Sequence, residues 1–158
     1  MAAALMRQRI ANLGLAGEIQ VLSAGVYASE GRPASELAIS TLAGRGISLE
    51  EHRSQPVSVA LLQQADVVLV MEEAHRRSLF YLAPDLLSKV FLMSELEGRH
   101  EDIADPFGGT PRAYGRTVAK LETLIAAGMP NLLRWLEQNA SARPPERATR
   151  PSSTLDWE

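Results

Sequence analysis

Apolar residues recur along this chain with two alternating periods, that of a helix and that of a strand. Met6, Ile10 and Leu13 fall at i, i+4 and i+7, a helical stripe that Gly14 and Gly17 stop. Ile19 to Ser23 is a short apolar run ending in Ser23-Ala24-Gly25, which predicts a buried strand leading into a loop that ends near Pro33. Ala34, Leu37, Ala38, Thr41 and Leu42 return to helical spacing before Gly44 and Gly46. After His52-Arg53-Ser54-Gln55-Pro56, Ser58 to Gln64 fits a short helix. Asp66 to Met71 is nearly continuous in apolar character and predicts a strand buried on both faces, the usual state of a parallel strand. His75, Leu79 and Leu82 mark another helix, and Lys89 to Met93 a further short strand. Thr110 is placed to cap a last helix with Pro111 at its first position and Tyr114, Val118, Leu121 and Ile125 on one face. Gly128 and Pro130 are expected to kink or break that helix before Leu132 to Leu136.

Strands alternating with helices predict an α/β protein, an open and mostly parallel sheet covered on both faces. Ligands of such sheets bind at the carboxyl ends of the strands. The pattern yields few strands for a doubly covered sheet, and an α/β chain that opens on a helix is short of the strand that should feed it.

Composition narrows the picture. At 158 residues and 46% hydrophobic, one domain is the default. Residues 1–138 carry the periodic pattern. Residues 139–158 hold Pro144, Pro145 and Pro151 among Ser, Thr, Ala and Arg, and predict a disordered tail. A net charge of −3 supplies no basic field for nucleic acid or an acidic membrane. No apolar run approaches the ~18 residues a membrane span needs, and Met1 to Ile10 has no secretory cleavage pattern, so a cytoplasmic protein is expected. The chain contains no cysteine, which removes disulfides, thiolate metal sites and any cysteine nucleophile.

Few residues stand out by type alone. Asp105-Pro106-Phe107-Gly108-Gly109 reads first as a tight turn, and His52 as a surface or capping histidine. His75 and His100 lack a metal-ligand partner at matching spacing and are expected in solvent, as is the Arg76-Arg77 pair.

Taken in order, several segments resemble the low-molecular-weight protein tyrosine phosphatase family, which includes bacterial protein arginine phosphatases and arsenate-reductase relatives. Ser23-Ala24-Gly25-Val26 is similar to the family's strand-end S-A-G, His52-Arg53-Ser54 to its H-R-S/A segment, and Ala65 to Met71 to its A-D-x-I-L-x-M strand. Asp102 to Gly109 with Tyr114 resembles its D-I-x-D-P-F-G-G…Y acid loop, and Met1 to Leu5 its M-A-E-A-L, with Ala3 in place of the glutamate. The resemblance implies a three-layer αβα fold around a short parallel sheet in the order 2-1-3-4. It implies Asp105 as general acid and then general base, Phe107 as a wall of the substrate entrance and His52 as a support of the phosphate loop. The substrate would be a phosphoprotein, phosphorylated on tyrosine or arginine, with the Phe107-Gly108-Gly109 run closer to the arginine-phosphatase branch. No metal or organic cofactor is implied.

In the family a thiolate attacks phosphorus while backbone N–H groups and an arginine hold the phosphoryl oxygens at a helix N-terminus. That cysteine and arginine have no counterpart here; they belong to a loop that precedes M-A-E-A-L, behind an interior strand of about 5–6 residues. The expectation is therefore a chain lacking its first strand and phosphate loop, inert as written and marginal in stability because both neighbouring strands lose a partner. An upstream start codon, a non-catalytic binding or regulatory protein on the same scaffold, and an arsenate-reductase relative are the alternatives at this point.

Overall fold

The computed structural model describes residues 1–141; residues 142–158, the bulk of the predicted tail, lie outside the described residues. Five α-helices, Ala2–Asn12 (α1), Glu36–Ala43 (α2), Val59–Gln64 (α3), Glu73–Leu82 (α4) and Pro111–Ser141 (α5), surround two short parallel strands, Val68–Val70 (β1) and Val90–Leu92 (β2). Short 3-10 helices, Pro84–Lys89 and Met93–Glu97, flank β2. The result is α/β, as the pattern predicts.

The two-residue period of the strands builds the layers. Val68, Val70, Val90 and Leu92 turn to one face, where they meet Leu62 of α3 and Leu79 of α4. Val67, Leu69 and Met71 turn to the other, against α1, α2 and α5. Phe91 follows the same rule, stacking on Trp135 of α5 with ring centroids 4.0 Å apart. Leu42, Val118, Leu121 and Ile125 form the centre of the larger core, each 2% exposed or less, and burial of each contributes about 1.5–3 kcal/mol. Tyr114 closes this layer by a 3.1 Å hydrogen bond between its hydroxyl and Ser35 Oγ, the oxygen that also caps α2 through Ala38 N.

Several expectations need correction. Among the described residues Ile19 to Ser23 joins no ladder; Ile19, Val21 and Ser23 are half-buried and alternate with exposed Gln20, Leu22 and Ala24. Among the described residues, the sheet-like contact nearest to it follows it, a parallel bridge between Gly25 and Pro56. The segment keeps the alternation of a strand and lacks a neighbour to pair with. The same deficit explains why Val67 to Leu69 are half-buried rather than sealed on both faces.

Gly128 and Pro130 do not end α5, which continues to Ser141 and so takes in Asn139, assigned above to the tail. Proline at 130 removes one N–H bond, to the carbonyl of Ala126, and both residues are on the exposed side, where water can satisfy that carbonyl. Gly128 is buried because the helix lies directly on Leu96: a Cβ there would stand 2.4 Å from Leu96 Cβ. His75, expected in solvent, is half-buried on the wall of a groove.

Candidate active site

A groove of about 380 Å³ runs between the Ser23–Gly25 segment and the end of β1. Its floor is the first turn of α1 with Leu49, Met71, Ile103 and Leu121, and its polar rim includes Arg7, His52, Glu72, His75 and Asp105. It therefore lies at the carboxyl end of a parallel strand, the position topology predicts.

Each wall is fixed by bonds that the local sequence makes available. Arg7 reaches from α1 to the Val21 carbonyl at 3.0 Å, tying the helix to the extended segment. Ser54 stitches the Gly25–Pro33 loop to the His52 segment: Arg32 N donates to its Oγ at 3.1 Å, its own N–H donates to Arg32 O at 2.9 Å, and Gly31 N donates to its carbonyl at 2.8 Å. The loop before Asp105 is pinned residue by residue. Ser94 Oγ donates to Glu101 O at 2.7 Å and accepts from Glu101 N at 3.0 Å. Asp102 Oδ1 accepts from Glu73 N, in the first turn of α4, at 2.9 Å; Ile103 N donates to Met71 O at 2.8 Å.

Beyond these anchors the chain becomes exposed and turns on itself. Asp105 Oδ1 accepts from Phe107 N at 3.0 Å, Gly109 N donates to Pro106 O at 2.8 Å, and Gly108 holds φ at 77°, a conformation that requires glycine at little cost. The turn reading of this segment is correct, and Asp105 lies in the groove lining.

The groove is electropositive at its inner end. The N-terminus of α1 faces it with no side-chain cap, presenting the positive end of a helix dipole. Burial pushes the His52 pKa below its ordinary value, and the Met1 ammonium, Arg7 and Arg53 add to the shift. Burial and Arg7 likewise lower the Met1 ammonium, while Asp105 opposes them, so the carboxylate and the helix start feel one another across the groove. A neutral imidazole, a free helix end and a carboxylate around one apolar cleft suit an anionic group that must accept a proton as it leaves.

Asp105 and His52, named from sequence, thus come together on one groove. Phe107 does not join them: it is 76% exposed and outside the groove lining. Arg7 and Glu72 give no signal in the sequence, His75 is expected in solvent, and only Ser54 carries a hint, through its place in His52-Arg53-Ser54.

Fold and groove together define a small α/β protein with a polar-rimmed groove at the carboxyl end of a parallel strand. The sequence model described as low molecular weight phosphotyrosine protein phosphatase matches residues 1–141, and the chain belongs to that family. It is 32% identical to the probable low molecular weight protein-tyrosine-phosphatase EpsP of Ralstonia nicotianae, over 84% of this chain and 86% of the relative. It is 36% identical to the protein-arginine-phosphatase of Bacillus subtilis, over 79% and 82% of the two chains. Among solved structures, the low molecular weight protein tyrosine phosphatase from T. tengcongensis superposes with a TM-score of 0.78 at 33% identity, covering 82% of this chain and 88% of that one.

Proposed function

We propose that this chain is the acid-bearing scaffold of a low molecular weight protein phosphatase and that, as a 158-residue polypeptide, it does not hydrolyse phosphate esters by itself. One observation carries the proposal: the groove gathers Asp105 and the free end of α1, while the sequence contains no cysteine to form a phospho-intermediate. Asp105 is the proton donor to the leaving group and then the base toward water. His52 steadies the phosphate-binding backbone at the start of α1, and Phe107 stands at the substrate entrance. A positioned acid contributes about 10²- to 10⁴-fold, well short of the acceleration a phosphate monoester requires.

The substrate class is a phosphoprotein, with phosphotyrosine or phosphoarginine as the cleaved group. Relatives of both kinds support that pair. A cytoplasmic location belongs to the proposal as the sequence-based expectation; separately, among the described residues no helix is long and apolar enough to cross a membrane. The test is turnover of p-nitrophenyl phosphate by this chain and by Asp105→Ala. Both are expected at the buffer rate. Turnover by the parent chain that disappears in Asp105→Ala overturns the claim of inertness.

A further inference from the structure

Four charged side chains from three segments meet beside the start of α4. Glu73 and Arg76 come from α4 itself, Glu95 from the 3-10 helix Met93–Glu97, and His100 from the stretch that follows it. Arg76 Nη1 stands 3.5 Å from Glu95 Oε2 and 4.0 Å from Glu73 Oε2. His100 directs one ring nitrogen at each carboxylate: Nε2 is 3.5 Å from Glu73 Oε2 and Nδ1 is 3.8 Å from Glu95 Oε1. Glu95 is fixed by its own backbone neighbour, Oε2 accepting from Leu92 N at 2.6 Å. Glu73 Oε2 is sealed from solvent and accepts no hydrogen bond among the described residues. The other charges on these segments have partners of their own: Arg99 pairs with Glu97 at 3.7 Å, Lys120 of α5 with Glu101 at 3.9 Å, and Asp102 with the Glu73 N–H at 2.9 Å.

The number of protons on His100 decides what this arrangement can do. A neutral imidazole has one N–H and one lone pair, so between two carboxylates it donates to one and sets its lone pair against the other. An imidazolium donates to both. Charge agrees with this, since two carboxylates and one guanidinium leave one negative charge, which a protonated His100 cancels. Among the described residues no three His, Asp or Glu side chains are placed to hold a metal ion. The cluster adjoins the acid segment. Asp102 caps the first turn of α4, Ser94 holds Glu101, and Ile103 N donates to Met71 O at 2.8 Å. Residues 100–103 are thus fastened to α4 at two neighbouring points, His100 on the Glu73 side chain and Asp102 on the Glu73 backbone.

We propose that His100 is a proton-dependent clamp on the segment that carries Asp105. Protonated, it bridges Glu73 and Glu95 and holds the segment against α4 and the 3-10 helix; deprotonated, it releases one carboxylate and the segment opens more often. The sign follows from linkage. The clamped form takes the proton better than the open form, so the contribution is complete at the acid end of histidine's range, about pH 5 to 8, and is lost as pH rises through it. The clamp is a property of the fold and stands whether or not Asp105 works as an acid.

Amide exchange of the full isotope-labelled chain, expressed as protection factors at pH 5.5 and pH 8, reads the clamp. Carboxylates are ionised at both values. Protection at Glu73, Glu101 and Ile103 is taken relative to Val90–Leu92, which removes the opposite effect of His52 on the whole chain. Partly exposed ion pairs shift an opening equilibrium by about two- to fivefold, and the parent ratio is expected to fall by that factor from pH 5.5 to pH 8. The His100 side chain is 63% exposed, so its replacement leaves the core intact. His100→Gln, neutral throughout, is expected to show the lower ratio at both pH values, and His100→Lys, charged throughout, the higher ratio at both. A parent ratio that does not change with pH, a change that survives in His100→Gln, or a His100→Lys chain that loses protection with pH as the parent does each overturns the proposal.

Discussion

Ser94 is 1% exposed, and its hydroxyl both donates to and accepts from the backbone of Glu101, fixing the start of the segment that carries Asp105. Ser94→Ala removes an oxygen, adds no volume and leaves both Glu101 groups without that partner. Two neutral hydrogen bonds are worth about 1–3 kcal/mol together. Glu101 is an exposed residue, and water recovers part of the loss, which sets the expectation at about 1–2 kcal/mol. For a chain of this size that lowers Tm by roughly 2–8 °C. Urea titration measures the free energy, and amide exchange at Glu101 to Ile103 locates it: these amides should exchange faster while β2 keeps its protection. Ser88→Ala, at an exposed serine, is the control and should stay within about 0.5 kcal/mol. A Ser94→Ala chain as stable as the control, with unchanged exchange at Glu101, would refute the idea that this hydroxyl anchors the acid loop.

Two glycines of α5 should respond in opposite directions to alanine. Gly115→Ala meets nothing within 4 Å and should gain about 0.5–1 kcal/mol from helix propensity. At Gly128 the new Cβ meets Leu96 Cβ at 2.4 Å and the Leu96 carbonyl oxygen at 3.2 Å, so overpacking should outweigh propensity and leave a net loss of about 1–2 kcal/mol by urea titration. Stability should also fall on acidification. His52 titrates lower in the folded chain than its ordinary 6.5, so the native state binds fewer protons; its contribution is complete above 6.5 and drains as pH falls from there through the lowered folded value. Tm measured between about pH 8 and pH 5 should decline, and His52→Gln should flatten that decline; a slope unchanged by the substitution would show that His52 is not its source.

What the sequence disclosed divides along physical lines. Helical spacing at Ala34 to Leu42 and at Tyr114 to Ile125 predicted helices correctly, because each periodic stripe packs against a core that is present. The Asp66 to Met71 and Lys89 to Met93 runs were found for the same reason, since they pair with one another. Ile19 to Ser23 has equal strand character and forms no ladder, because pairing depends on a neighbour and not on the run itself. Pro130 could not be judged from its identity, only from the exposure of the carbonyl it leaves free. Asp105 and His52 were legible as groove residues through the motifs around them. Arg7 and His75 were not, since their places in the groove come from which way α1 and the first turn of α4 face.

The account rests on a groove that holds an acid and no cysteine. Intact mass spectrometry of the purified 158-residue chain after incubation with excess p-nitrophenyl phosphate tests this most directly. The account predicts an unmodified mass with no phospho-adduct at any time point. A phospho-adduct that accumulates, maps to a groove residue and turns over only when Asp105 is intact would contradict it.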